Sequence, residues 1–256
     1  MHEDREVHGL ARLLAIMRRL RDPEHGCDWD IAQTFETIAP YTIEEAYEVA
    51  DAIARNDMAA LVDELGDLQL QVVFHATIAE QAGAFTLADV LTAIADKLER
   101  RHPHIFAAVP TPGWEALKAT EREDLDDHSA LAGVPLAAPA LMRAQKLQGR
   151  AARIGFDWPD AAGARAKILE ELAEVDSAAN ETERAEEIGD LLFAAVNLAR
   201  KYGVDAETAL RAASAKFETR FRYMEEMDPA LPTRSLAEQD ELWQRAKTEV
   251  SQPARD

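Results

Sequence analysis

The stretch "EELAEV" at Glu170–Val175 is followed, twelve residues on, by "EEIGDLL" at Glu186–Leu192. Together they set Glu171, Glu174, Glu187 and Asp190 in two pairs, each spaced by three. On an α-helix residues i and i+3 share a face, so each pair projects together. About a dozen intervening residues suit a helix–turn–helix that brings the second pair back beside the first. Four carboxylates so gathered repel one another unless a positive charge sits among them. The chain uses the pattern twice, with "EEAYEV" at Glu44–Val49 and "DELGDLQ" at Asp63–Gln69 supplying Glu45, Glu48, Glu64 and Asp67.

The duplication extends outward. "GCDWD" at Gly26–Asp30 answers "GFDWPD" at Gly155–Asp160, and "DKLERR" at Asp96–Arg101 answers "AKFETR" at Ala215–Arg220. "WEALK" at Trp114–Lys118 answers "WQRAK" at Trp243–Lys247. The loops between these landmarks differ in length, as two diverging copies would where the surface tolerates it. The sequence therefore predicts a tandem duplication of an all-helical unit. Its expected parts are an N-terminal domain over 1–125, a linker over 126–140 rich in Ala, Pro and Gly, and a C-terminal domain over 141–256.

Helices are expected over 10–20, 61–80 and 87–101, with another opened by Pro40 and a Thr42–Glu45 capping pattern. A charged helical piece is expected around 114–127. Ile168, Leu172, Val175, Ile188, Leu191 and Leu192, beside the carboxylates, are expected to face the core. Gly66 and Gly189 sit inside the two "GDL" helices, where Gly costs about 1 kcal/mol relative to Ala, and close helix approach is the expected reason.

Composition narrows the function. Over 256 residues, 47% are hydrophobic with only 11 Gly and 11 Pro, a globular make-up long enough to bury a core. A net charge of −20 argues against a nucleic-acid polymer as partner, since that binding rests on Lys and Arg. A caged divalent cation would still attract a small phosphorylated ligand. One cysteine, Cys27, excludes a disulfide framework, and no apolar run reaches the length of a membrane span. A soluble cytoplasmic protein, without a membrane partner, is the expectation.

Oxygen-only ligands suit Mg²⁺, with Mn²⁺ as a substitute, and neither pair supplies the histidine that a di-iron Glu-x-x-His bundle requires. A bound phosphate also needs cations: Lys216 and Arg220 stand i, i+4 on the next predicted helix, and Lys247 follows Trp243 by one turn. Trp243 suits either stacking on a base or covering a core edge. His75, in an apolar helical stretch, reads as a core histidine, and His102 and His104, flanking Pro103, as turn and capping residues. Trp29 and Trp158 read as packing anchors.

With these residues assembled, the chain resembles the MazG nucleoside triphosphate pyrophosphohydrolases of the all-α NTP pyrophosphatase superfamily. The resemblance runs over nearly the whole length, through "CDWDIAQTF", "YTIEEAYEVADAI", "DELGDLQLQVVFH", "KLERRHPHIF", "RAQKLQGRAARIGFDW", "EEIGDLLFAAVNLAR" and "KFETRFRYME". It implies two tandem MazG-like helical bundles and Mg²⁺-dependent hydrolysis of NTPs and dNTPs, by metal-activated water, to a monophosphate and pyrophosphate. Glu171, Glu174, Glu187 and Asp190 match the family's metal ligands and catalytic set. Lys167, Arg184, Glu186, Lys216, Arg220, Trp243 and Lys247 match its nucleotide-contacting positions. A homodimer and a place in nucleotide house-cleaning and stress control are further implications.

Between the copies, Lys167 is replaced by Tyr41 and Arg184 by Leu61. The C-terminal half is therefore the expected enzyme, while Glu45, Glu48, Glu64 and Asp67 form a possible second metal cage, weak or structural. The competing reading is a non-catalytic nucleotide- or metal-binding regulator acting through partners.

Overall fold

The computed structural model describes residues 2–107 and 127–250, and every regular element among them is helical. The charged piece around 114–127, with Trp114 and Lys118, lies almost wholly outside the described residues. The chain divides into two compact units, Met1–Leu117 and Lys118–Asp256.

In the first unit α1 (His2–Leu20), α2 (Asp28–Ala32), α3 (Phe35–Ala54), α4 (Met58–Gln81), α5 (Leu87–Arg101) and α6 (Pro103–Phe106) follow in order. The second has α7 (Ala140–Arg153), α8 (Ala161–Ser177), α9 (Glu181–Lys201), α10 (Ala206–Met227), a 3₁₀ turn at Leu231–Thr233 and α11 (Leu236–Glu249). The dominant pairing in each unit is the carboxylate-bearing hairpin, α3 with α4 and α8 with α9. Helix α1 packs on α4, and α7 packs on both α9 and α10, while α10 and α11 form a second hairpin.

Local chemistry sets the ends of these hairpins. Asp57 caps α4 through the backbone N–H groups of Ala59 and Ala60, Asp160 caps α8 through Ala162, and Asn180 caps α9 through Glu183. The start of α3 differs from expectation. Thr34 accepts from the Thr37 backbone and closes a capping box, so the helix begins at Phe35 and carries Pro40 inside it. The missing Pro40 N–H removes one intrahelical bond. A well-made cap upstream outweighs it.

The first core gathers Met17, Ile38, Val73, Phe74, Ala76, Ile78 and Leu87, flanked by Leu10, Leu13, Leu14 and Leu70. In the second unit Met224, Leu231 and Ala246 join α10 to α11, with Tyr223, Met227, Leu242 and Trp243 packed against them. Part of the stretch expected as linker is packed: Ala132 is buried, and its carbonyl accepts from Arg150.

Two packing expectations fail. Leu172, Ile188 and Leu192 are exposed rather than turned to the core, at 46%, 43% and 54%. Nothing lies within 4 Å of a Cβ built on Gly66 or Gly189, so close helix approach within the chain does not account for either. Gly26 and Gly163 are the glycines under real constraint, because a Cβ would stand 2.3 Å from the Leu20 carbonyl oxygen at the first and 2.3 Å from the Trp158 ring at the second. No described helix is long and apolar enough to cross a membrane.

Candidate metal centre and its cavity

Helices α8 and α9 bring Glu171, Glu187 and Asp190 together, with one carboxylate oxygen of each within 4.8 Å of the others. Glu174, one turn beyond Glu171, stands outside that trio but within its influence. Its carboxyl is held above the usual range, chiefly by the side chain of Glu171 and then by burial. Glu187 is also raised, first by burial and then by the charges of Glu171 and Asp190.

Glu171 is the hinge of the arrangement. It is only 3% exposed, and Lys167 reaches its Oε1 at 2.6 Å, which holds its carboxyl below the usual range. The same ammonium donates to Glu170 Oε1 at 2.7 Å, and these carboxylates together push the Lys167 pKa up. The other oxygen, Glu171 Oε2, is buried without a partner. A buried carboxylate oxygen left unpaired is costly unless something positive meets it. Three converging carboxylates, one with an orphaned oxygen, fit a hard divalent cation held by oxygen ligands.

The cage opens onto a cavity of about 780 Å³. Lys167, Glu171 and Asp190 line it from the cage, and the paired Asp157 and Arg200 are further charged residues of its lining. Leu131, Leu147, Phe156, Trp158 and Phe193 supply an apolar wall, with Gln148 and Asn197 among them. The loop carrying Phe156 and Trp158 leaves α7 at Gly155, whose φ of +87° suits a residue without a side chain. It is clasped to α9 by Asp157, which pairs with Arg200 at 2.5 Å and Lys201 at 2.7 Å and is thereby held down to about 2.

Other residues singled out in the sequence lie elsewhere. Lys216, Arg220, Trp243 and Lys247 belong to the α10–α11 hairpin and do not line the cavity, and neither do Arg184 and Glu186 at the start of α9. The Arg220 guanidinium lies 5.9 Å over the Trp243 ring, Phe217 packs on the same ring at 5.3 Å, and Lys247 donates to Gln244. Gln148, Phe156, Phe193 and Asn197 lie inside motifs quoted above but are not singled out there as site residues, because only the fold brings their three separate elements together.

In the first unit Glu45, Glu48 and Glu64 converge within the same 4.8 Å, and the charge of Asp67 acts on both hairpin helices, through Glu45 and Glu64. Burial first, then neighbouring carboxylates, raises Glu45 and Glu64. Where Lys167 would stand, Tyr41 meets Trp29 edge-on at 6.3 Å, and Trp29 in turn meets Phe74 at 6.4 Å. His75 is half-buried, stacked on Phe35 and in contact with Thr42 Oγ1 at 3.1 Å, while His102 bonds the Leu98 carbonyl at the end of α5.

Fold and site define an all-α protein in which paired acidic helices gather carboxylates that could hold a cation beside a largely apolar cavity. The family model described as "MazG nucleotide pyrophosphohydrolase domain" matches residues 33–106 and 162–224, one segment over each hairpin. The chain is 49% identical over 257 residues to the nucleoside triphosphate pyrophosphohydrolase of Escherichia coli K12, covering 94% of this chain and 98% of that protein. It is 45% identical over 242 residues to the nucleoside triphosphate pyrophosphohydrolase/pyrophosphatase MazG of Thermotoga maritima, covering 92% and 94%. The chain belongs to the MazG family.

Proposed function

We propose that the C-terminal half, 141–256, hydrolyses nucleoside and deoxynucleoside triphosphates to the monophosphate and pyrophosphate, while the N-terminal half, 1–125, is structural or weakly active. The observation that carries the reading is the orphaned Glu171 Oε2 in a carboxylate cage that faces a nucleotide-sized cavity. The two relatives named above bear that activity in their names.

Glu171, Glu174, Glu187 and Asp190 would hold Mg²⁺, with Mn²⁺ as a substitute. The bound ion would supply charge neutralisation of the phosphates and a water of lowered pKa. Lys167, at the cage rim, is placed to turn from Glu170 toward a phosphate oxygen, and a cage glutamate to accept the proton of the attacking water. Arg184, Glu186, Lys216, Arg220, Trp243 and Lys247 are proposed as further nucleotide contacts, outside the cavity lining. A homodimer supplies the reason for the exposed row of Leu169, Leu172, Ile188 and Leu192, an apolar helix face that a second copy would cover.

The test is pyrophosphate release from a panel of NTPs and dNTPs with Mg²⁺, for wild type, Glu171→Gln and Glu48→Ala. Activity lost in Glu171→Gln alone supports the reading. Nucleotide binding with no pyrophosphate from any substrate would sink it.

A further inference from the structure

Helices α8 and α9 form a hairpin that the chain itself closes at only one end, through the turn at 178–180. The other end, where α8 begins at Ala161 and α9 finishes at Lys201, has no covalent link across it. The converging Glu171, Glu187 and Asp190 lie between the two ends. Their charges repel, and those of Glu171 and Asp190 help burial to raise the Glu187 carboxyl. Repulsion between carboxylates on facing helices pushes the helices apart. The end without a covalent link resists it least.

A clasp closes that open end. Asp157, three residues before the Asp160 cap of α8, accepts from two nitrogens of the Arg200 guanidinium at 2.5 and 3.0 Å. It also pairs with Lys201 at 2.7 Å, and the same ammonium donates to the Trp158 carbonyl. The Trp158 ring lies against Gly163 in the first turn of α8. The side chains of Asp157, Arg200 and Lys201 are only 19%, 17% and 11% exposed, so salt screens them little. Arg200 stands ten residues beyond Asp190, about 15 Å along α9.

The first hairpin closes its open end with different chemistry. Arg21, directly after α1, donates through Nε to Gln81 Oε1 at 2.9 Å, at the end of α4. Gln81 Nε2 returns a bond to the Arg21 carbonyl at 3.0 Å. The Arg21 guanidinium also reaches the carbonyls of Asp30 and Gln33, just ahead of α3. All of these acceptors are neutral amides. By the register that aligns the hairpins, Thr77 and Ile78 stand where α9 has Arg200 and Lys201, and the matched "DW" motifs pair Asp157 with Asp28. The Thr77 hydroxyl bonds the Val73 carbonyl instead, at 2.8 Å. Two unrelated sets of side chains thus bridge the same gap, which marks the gap as the thing the fold has to close.

We infer that Asp157, Arg200 and Lys201 staple the open end of the second hairpin, and that Asp157 is a positioning residue for hydrolysis at the carboxylates of α8 and α9. The staple sets the separation of two helices whose carboxylates meet one cation. It acts through those helices and not by contact with the reacting groups. The inference rests on the proposed triphosphate hydrolysis at that cage.

The experiment compares wild type, Asp157→Asn, Asp157→Glu and Glu80→Gln, the last breaking the Arg18–Glu80 pair of the first unit. Readouts are kcat for NTPs and the Mg²⁺ concentration that gives half-maximal activity. A lower folded fraction would reduce kcat but leave that concentration where it is. The expected result for Asp157→Asn is a kcat lowered about tenfold, the scale of a small misplacement at the reacting centre, and a raised Mg²⁺ requirement. Asp157→Glu, which keeps the charge, should recover most of both losses, and Glu80→Gln should match wild type. A kcat within about twofold of wild type in Asp157→Asn, or a lowered kcat with the Mg²⁺ requirement unmoved, overturns the inference. Equal losses in Asp157→Asn and Asp157→Glu, or in Asp157→Asn and Glu80→Gln, do the same. Should Asp157→Asn melt below the assay temperature, Lys201→Met, which keeps the Arg200 pair, decides by the same readouts. If wild type released no pyrophosphate, the hydrolysis reading would fail by itself. Mn²⁺ titration of the proteins without nucleotide, followed by electron paramagnetic resonance, would then judge the staple separately. Weaker binding in Asp157→Asn would support it, and an isotherm identical to wild type would refute it.

Discussion

In the second copy Lys167 sits 2.6 Å from Glu171, and in the first copy Tyr41 stands at that register and packs on Trp29. Both copies keep their converging carboxylates. Around them Lys167, Arg184 and Asn197 of the second copy stand where the first has Tyr41, Leu61 and Phe74. Both halves keep four carboxylates in sequence, but Glu45, Glu48 and Glu64 converge in the first and Glu171, Glu187 and Asp190 in the second, and their charged and polar neighbours differ as well. On the proposed division of labour, possession of the carboxylates is a weak guide to which copy turns over substrate, and the neighbours are a better one.

The comparison breaks most directly at the cages. Glu171→Gln is expected to lower pyrophosphate release about a thousandfold, the scale of metal-assisted charge stabilisation, and Glu48→Ala to change it less than about twofold. Equal losses in steady-state assays would make the two copies functional equals. Next in size, Lys167→Tyr imposes the first copy's residue on the second. A charge-assisted hydrogen bond to phosphate is at stake, so kcat/KM should fall by roughly 10- to 100-fold while folding survives.

The reverse exchange probes the first copy's packing. Phe74→Asn removes a buried ring from the core that holds Met17, Ile38 and Val73, and a loss of about 3 kcal/mol in unfolding free energy by denaturant titration is expected. A negligible loss would mean that the aromatic cluster contributes little to stability. The smallest effect concerns Asp157, whose partners Arg200 and Lys201 are largely covered. Asp157→Asn should destabilise the second unit by about 1 kcal/mol near neutral pH. Because the folded-state carboxyl is depressed from 3.8 to about 2, its contribution is present above the ordinary value and lost as pH falls toward the depressed one. The gap between wild type and variant should thus close between pH 4 and 2.

Much of this was legible beforehand. The spacing of Glu171, Glu174, Glu187 and Asp190, repeated in the first half, is a helical property, and it predicts the all-α duplicated fold from the sequence alone. Periodicity identifies an apolar face but not what covers it, which is why Leu172, Ile188 and Leu192 read as core and stand exposed. Pro40 looked like a helix start because the Thr34–Thr37 box upstream has no apolar period to announce it. The cavity was invisible in one dimension. Its residues run from Leu131 to Arg200, and the unpaired Glu171 Oε2 becomes apparent only once its surroundings are known.

The contact between Gly163 and Trp158 makes the shape of the cavity depend on a backbone position in the first turn of α8. A single added methyl at residue 163 would have to push the indole aside, and the indole is one of the cavity's walls. In evolutionary terms the site has a silent steric governor. Variation there would be read out as an altered cavity wall, although the residue offers no side chain of its own to that wall. Efforts to reshape the cavity accordingly have a control point outside the set of chemically active groups.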